Sequence, residues 1–336
     1  MIQATLRDVF TSDELTPDQL ASSFALRVRT PVELRLRDQQ LAIRSEHGLE
    51  TVTFGDGPIV LELVADREEM VSIVTKGQLE DAAIEVDDAY RMAAAALARA
   101  THDGRWKKLA DDIWVSAYDD DYDFARLVAA GPDGRLPFAS APRVFAPSHS
   151  VCLATSAEDD ATLGTMLGHG YELAKNHRPF SHLLWTRGTA GAWTDWQPRA
   201  GAPGFRTAEL QRIRQQLADY NEQQGILKEA LEARGEDSFV ASYTAFERGD
   251  GYRTVCTYTL NLPSYLPKTD LVAIFDPTAG SDGMLLGQVT WRDFEAAVGI
   301  AASVPLADEE PARFALTTKL DEAQERTLRQ LARPIE

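Results

Sequence analysis

The densest group of reactive side chains is an acidic segment at residues 119–123, which reads DDDYD. Carboxylates at alternate positions are oxygen ligands of the kind that Ca²⁺ and Mg²⁺ prefer, so Asp119, Asp121 and Asp123 are candidate binding residues. An EF-hand loop beginning at Asp119 would need glycine and glutamate where this sequence has Phe124 and Ala130, so the segment is not an EF-hand. The alternative interpretation is a solvated turn, in which Asp123 caps a short helix over residues 124–129.

Four of the six histidines lie in the same part of the chain: His149, His169, His177 and His182. Neutral imidazole is a common metal ligand and a general base near neutral pH. The spacings match neither HExxH nor a Cys/His zinc site, so the sequence assigns no metal and no cofactor. If their turns share one sheet edge, His149 and His177 could act with Asp119 and Asp121 in metal-assisted hydrolysis.

A nucleophile and base are suggested by Ser148, His149 and Cys152, but adjacent residues of a strand face opposite sides, and no GxSxG elbow is present. Cys152 and Cys256 each lie in an apolar, strand-like stretch. We therefore predict two buried thiols instead of a disulfide or a nucleophile. No catalytic residue is assigned.

Three tryptophans, Trp185, Trp193 and Trp196, lie within twelve residues. We predict a hairpin of residues 183–186 and 193–196, with Trp193 and Trp196 on opposite sides of their strand. An exposed tryptophan would mark a protein interface, which makes Trp193 a candidate binding residue. The alternative is that these rings pack in the core.

The elements that must position these residues predict an α+β fold with mixed or antiparallel sheets, helices packed on one face, and two to three subdomains. We expect an N-terminal region (1–102), a central region (103–200) and a C-terminal region (205–336), with the Gly/Pro-rich break at residues 201–204 as the linker.

Within the N-terminal region, Thr16-Pro17 predicts a capped helix that presents Leu20, Phe24 and Leu26. Apolar alternation over residues 32–43, with a turn at Asp38-Gln39, predicts a hairpin, and residues 87–100 predict a helix.

The central region predicts a helix over residues 157–175, with acidic residues at its start. Its glycines, Gly164, Gly168 and Gly170, superficially suggest a phosphate-binding loop. No GK[ST] follows and the stretch is helical, so we interpret them as sites of close helix packing.

Three sequence blocks carry a resemblance: IWVSAYDDDYDFARLV at 113–128, VFAPSHSVCLA at 144–154, and residues 163–198 with the hairpin HLLWTRGTAGAWTDWQP. In pattern and order they resemble a bacterial family of unknown function, DUF1444 (UPF0354), over about residues 105–200, and an extension of the resemblance back to residue 15 stays open. The resemblance implies relatives but no reaction, because no activity is established for that family.

The formal net charge is −18, from 34 basic and 52 acidic residues. Such a charge opposes binding to nucleic acid and to anionic membranes. It permits a basic protein partner, a bound cation, or no role beyond solubility. The first residues lack a signal-peptide pattern, so we expect a cytoplasmic protein. The preferred hypothesis is a non-enzymatic interaction, adaptor or immunity-type module with an acidic surface. The metal-assisted hydrolase is the alternative, and the oligomeric state is not predicted.

Overall fold

The structure is a computed structural model, and the residues it describes are 15–44, 50–55, 57–67, 70–101, 104–118, 120–129, 136–138, 140–187, 192–249, 251–299, 304–305, 311–316 and 318–334. The helices are α1 (Pro17–Ser22), α2 (Pro31–Arg44), α3 (Lys76–Asp81), α4 (Val86–Ala100), α5 (Asp123–Ala129), α6 (Asp160–Ala174), α7 (Phe205–Arg234), α8 (Trp291–Val298) and α9 (Glu322–Leu331). The strands are β1 (Phe24–Arg29), β2 (Thr53–Phe54), β3 (Val60–Arg67), β4 (Met70–Ile73), β5 (Trp106–Ala110), β6 (Ile113–Ser116), β7 (Arg143–Ser148), β8 (Val151–Thr155), β9 (Leu184–Arg187), β10 (Trp193–Trp196), β11 (Phe239–Val240), β12 (Thr244–Arg248), β13 (Gly251–Thr259), β14 (Ser264–Pro267), β15 (Leu271–Asp276), β16 (Met284–Thr290), β17 (Val304–Pro305) and β18 (Arg313–Leu316). These elements form an α+β fold with mixed and antiparallel sheets, as predicted.

The chain divides into two compact units. The first comprises residues 1–31 and 47–212, and the second comprises residues 32–46 and 213–336. The boundary at residues 212/213 therefore falls inside α7, several residues beyond the linker predicted at 201–204. The first unit also joins the two regions that the sequence suggested were separate at residue 102.

A small antiparallel sheet in the first unit has the order β1-β3-β2, and β4 also pairs with β3. Its central strand, β3, is buried along most of its length. Helix α4 packs on this sheet through Ala89, Ala93 and Leu97, which recur every four residues along one side of the helix. Small side chains on that side let the helix approach the sheet closely.

A six-stranded antiparallel sheet, with the order β10-β9-β7-β8-β6-β5, forms the rest of the first unit. Strand side chains alternate between its two faces. Val144, Cys152 and Trp185 join the apolar cluster that contains residues of α5, while Phe145 and Leu153 join the cluster that contains residues of α6. Helices thus cover both faces of this sheet, where the sequence predicted helices on one face.

The second unit contains two four-stranded sheets, β12-β13-β15-β16 and β11-β14-β18-β17. The pairs β13/β15 and β11/β14 are parallel, and the neighbouring pairs are antiparallel. Helices α8 and α9 pack on the first of these sheets, around Tyr258, Phe294 and Leu328. Thr290 caps α8 by accepting a hydrogen bond from the amide of Asp293.

The predicted hairpin over residues 32–43 is wrong, since these residues form α2. A two-residue hairpin turn favours residues that adopt positive φ, and Asp38-Gln39 is a poor choice for it. Pro31 suits the first helical position, and the leucine, arginine and glutamine residues that follow have high helix propensity. Apolar alternation was the weaker signal here.

The predicted placement of Phe24 and Leu26 on the first helix is also wrong. Thr16 and Gln19 do form a capping box that begins α1, but the helix ends at Ser22. Phe24, Leu26 and Val28 then alternate with half-buried residues along β1, so their buried side chains follow the two-residue period of a strand.

The glycines of α6 differ in what surrounds them. A Cβ atom on Gly164 would lie 2.7 Å from the carbonyl carbon of Pro203, and one on Gly170 would lie 2.6 Å from ring carbons of Phe145. A Cβ atom on Gly168 would meet nothing within 4 Å. The predicted close packing is therefore confirmed at Gly164 and Gly170 and is wrong for Gly168.

We predict opposite effects for alanine at two of these positions. Gly164→Ala should lower the free energy of unfolding by about 1–3 kcal/mol, because the backbone of Pro203 must move to make room. Gly168→Ala is the matched control, and it should raise that free energy by about 0.5–1 kcal/mol through helix propensity alone. Urea unfolding followed by circular dichroism measures both; equal effects of the two substitutions would contradict this account of the packing.

Candidate functional site

The acidic segment at residues 119–123 is built around the guanidinium group of Arg126. Two of its nitrogens donate to the two carboxylate oxygens of Asp120, at 2.6 and 2.5 Å, and one lies 3.4 Å from Asp123 Oδ1. The side chains of Arg126 and Asp123 are 4% and 1% exposed. The guanidinium also lies over the ring of Tyr118, with 4.0 Å between the guanidinium carbon and the ring centroid. Asp123 is thus a buried ion-pair partner at the first position of α5, and the predicted solvated cap is wrong at this residue.

Asp121 is held from two other elements. Arg27 Nη2, on β1, donates to Asp121 Oδ2 at 2.7 Å, and Ser150 Oγ, in the turn between β7 and β8, donates to Oδ1 at 2.8 Å. A cation at Asp121 and Asp123 would have to compete with the two guanidinium groups that these carboxylates already contact. Asp119 lies outside the described residues.

Among the described residues, the histidines form no metal centre with the acids of this segment. His149 is half-buried, with its ring centroid 4.5 Å from that of Phe180, and His177 is exposed just after α6. Within the part of the chain that the structure describes, no group of three or more His, Cys, Asp or Glu side chains is placed to hold a metal ion.

Both cysteines are buried thiols, as predicted. Burial, and then the nearby Asp123 carboxylate, raise the pKa of Cys152 well above its ordinary value. Burial raises the pKa of Cys256 to about 11, although a hydrogen bond from Thr269 opposes the shift. A thiol that stays protonated near neutral pH is a poor nucleophile. The geometry therefore gives no support to a nucleophilic role for Cys152 beside Ser148 and His149.

The predicted hairpin of β9 and β10 is present, with Trp193 opposite Arg187. Trp193 and Trp196 pack against different apolar clusters on the two faces of the sheet, as their spacing predicted. Trp193 is half-buried and meets the ring of Phe124 edge to face, with centroids 5.7 Å apart. Trp185 is buried. This arrangement supports core packing over an exposed aromatic surface.

A different group of acids, which the sequence reasoning did not single out, lies on the surface between α3 and α4. We call Glu80, Asp81, Glu85 and Asp87 the acidic turn. All four are exposed, and no basic side chain of the described residues forms an ion pair with them. The sequence signal was present in the run EDAAIEVDD at residues 80–88. This run has a lower density of acids, five in nine residues, than the segment at 119–123, with four in five. Among the described residues, its acids are nevertheless the more exposed of the two groups.

Local hydrogen bonds fix the acidic turn. Thr75 and Gln78 form a capping box that begins α3. At the other end, the amide of Ala83 donates to the Glu80 carbonyl at 3.0 Å and the amide of Ile84 donates to the Leu79 carbonyl at 2.9 Å. This is a Schellman motif, with Ala83 at φ +53° in the position that usually holds glycine. The chain therefore leaves α3 in a defined direction before α4 begins.

Comparisons with known proteins give no relative: no family model, no curated protein and no solved structure matches the chain. The resemblance to the DUF1444 family stays a prediction from sequence pattern. In the described residues, no helix is both long enough and apolar enough to span a membrane.

We predict unequal effects for the two arginines that hold the acidic segment. Arg126→Met should lower the free energy of unfolding by about 3 kcal/mol or more, because it removes the cation beside the buried carboxylate of Asp123 and the half-buried one of Asp120. Arg27→Met is the matched control, since it removes a pair whose carboxylate side chain is 44% exposed. It should cost about 1 kcal/mol or less. Urea unfolding of both variants is the measurement, and a loss for Arg126→Met no larger than that for Arg27→Met would contradict the account.

Proposed function

We propose that this chain is a non-enzymatic protein-interaction module, of the adaptor or immunity type, which binds a basic protein partner through the acidic turn. The observation that carries the proposal is the exposure of Glu80, Asp81, Glu85 and Asp87, none of which forms an ion pair with a basic side chain of the described residues. We place the protein in the cytoplasm as part of the same proposal.

Electrostatics support a basic partner. The four carboxylates of the acidic turn are exposed and form no ion pair with the described residues, although the Lys76 ammonium group interacts electrostatically with Glu80. A lysine or arginine of another protein can therefore reach them. The formal net charge of −18 adds a long-range attraction that raises the association rate with a basic surface. The same charge disfavours nucleic acid and anionic membranes as partners.

The acidic segment at residues 119–123 is less suited to this role. Its described carboxylates, those of Asp120, Asp121 and Asp123, contact Arg126 or Arg27. These acids therefore contribute to the net charge of the chain while their local field is offset by the two arginines. A lysine or arginine of a partner protein would have to compete with Arg126 and Arg27 for these carboxylates.

The alternative function, metal-assisted hydrolysis through Asp119, Asp121, His149 and His177, lacks comparable support. Asp121 accepts hydrogen bonds from Arg27 and Ser150, and no metal-binding group occurs among the described side chains. A divalent ion would have to displace one of these donors to bind Asp121.

The test compares three immobilised proteins. The acidic-turn variant carries Glu80→Gln, Asp81→Asn, Glu85→Gln and Asp87→Asn. The control variant carries Glu232→Gln, Asp237→Asn, Asp282→Asn and Glu322→Gln, which neutralise four exposed acids elsewhere and change the net charge equally. Proteins retained from a cell lysate at about 50 mM and about 150 mM salt are identified, and the strongest basic candidate is purified and titrated.

We expect the wild type and the control variant to retain the same basic protein, with weaker retention at the higher salt. The acidic-turn variant should bind the purified partner about 10- to 100-fold more weakly, as expected for the loss of several partly screened charge pairs. Equal binding by the acidic-turn and control variants would refute the assignment of this surface. Absence of any basic protein retained at low salt would refute the proposed function.

A further inference from the structure

The outer side of α4 carries an ordered stripe of exposed residues. Asp88, Met92, Ala95 and Arg99 are separated by four, three and four positions, which is the spacing of a seam between two packed helices. This side is opposite to the one that packs on the small sheet. Met92 is 39% exposed, Ala95 and Arg99 are exposed, and the Asp88 side chain is 46% exposed.

We propose that this stripe binds the same stripe of a second copy of the chain, with the two α4 helices antiparallel across a two-fold axis. The inference is independent of the acidic turn, none of whose four residues belongs to the stripe.

Charge complementarity favours a second copy of the chain as the partner, and it favours the antiparallel over the parallel orientation of the two helices. In an antiparallel pair centred between Ala93 and Ala94, Asp88 of each helix lies opposite Arg99 of the other. Two such pairs form, one at each end of the contact, about 16 Å apart along the helix. A parallel pair would place Asp88 against Asp88 and Arg99 against Arg99, which is repulsive. The charges therefore favour the closed, self-complementary arrangement of a two-fold dimer.

The middle of the contact fits in shape. In the same register, Met92 of each helix lies opposite Ala95 of the other, so a long flexible side chain meets a small one. The apolar part of the contact is small, because it consists of Met92 and Ala95 of each helix.

Within its own chain, Asp88 contacts Arg91, one turn along the helix. An exposed ion pair of this kind contributes little free energy, so the carboxylate can exchange this partner for Arg99 of the second copy.

We expect weak association. A contact of three helical turns is smaller than a standard interface of about 1,600 Å², so it belongs to the class of weak, transient interfaces. Two copies that each carry a net charge of −18 also repel one another, and salt near 0.15 M screens this repulsion while leaving close pairs effective.

The experiment is sedimentation equilibrium of the full chain from about 10 to 500 μM. The wild type should rise from the monomer mass of 37.0 kDa toward twice that value. Asp88→Arg and Arg99→Asp each create like-charge contacts at both ends, so each alone should dimerise about tenfold more weakly or not at all. Mixing these two variants restores both charge pairs and should give a heterodimer at least as stable as the wild-type dimer.

Met92→Lys should also weaken the dimer, and Met284→Lys, at an exposed methionine of the second unit, is its matched control. Circular dichroism checks that each variant is folded. A wild type that stays at 37.0 kDa up to 500 μM would overturn the proposal. A dimer that the charge variants leave unchanged, or a mixture of Asp88→Arg and Arg99→Asp that stays monomeric, would overturn it equally.

Discussion

A guanidinium group removed from water needs a hydrogen-bond acceptor for each of its N–H groups, and this requirement organises the second unit around Arg313. The residue is fully buried on β18. Its Nε donates to Gln223 Oε1 at 2.7 Å, its Nη1 donates to the carbonyls of Ala241 and Tyr265 at 2.8 and 3.2 Å, and its Nη2 donates to the Tyr220 carbonyl at 3.1 Å. One side chain therefore fixes α7, β14 and the segment between β11 and β12 relative to β18.

The first unit also buries a guanidinium group, that of Arg126, with a different set of partners, although its Nε has no acceptor among the described residues. Arg126 binds carboxylates and lies on an aromatic ring, where Arg313 binds mainly main-chain carbonyls. Both arginines are buried charged groups whose hydrogen bonds stabilise the fold. That is why the densest acidic segment of the sequence is a poor candidate for binding or catalysis. The surfaces that we propose for function, the acidic turn and the outer side of α4, carry exposed charges instead of buried ones.

The sequence was sufficient where local chemistry decides the structure. Helix α4 follows from its alanine-rich sequence and acidic first turn, and α8 follows from Thr290 as its cap. It was insufficient where partners are distant along the chain. Arg126 lies three residues after Asp123, a spacing that allows contact on a helix, but no local pattern says that the pair is buried. The pairing of Arg27 with Asp121, across more than 90 positions, has no local signal at all, and the same is true of the acceptors of Arg313.

The central claim is that a buried guanidinium group holds each unit together, and hydrogen exchange of Arg313→Lys tests it most directly. Lysine keeps the charge but offers three donors on a flexible chain instead of a planar fork of five. We predict that amides of β14, β18 and the second half of α7 exchange about a hundredfold faster than in the wild type, as expected for a loss of about 3 kcal/mol. Unchanged protection of these amides in a folded Arg313→Lys variant would contradict the account.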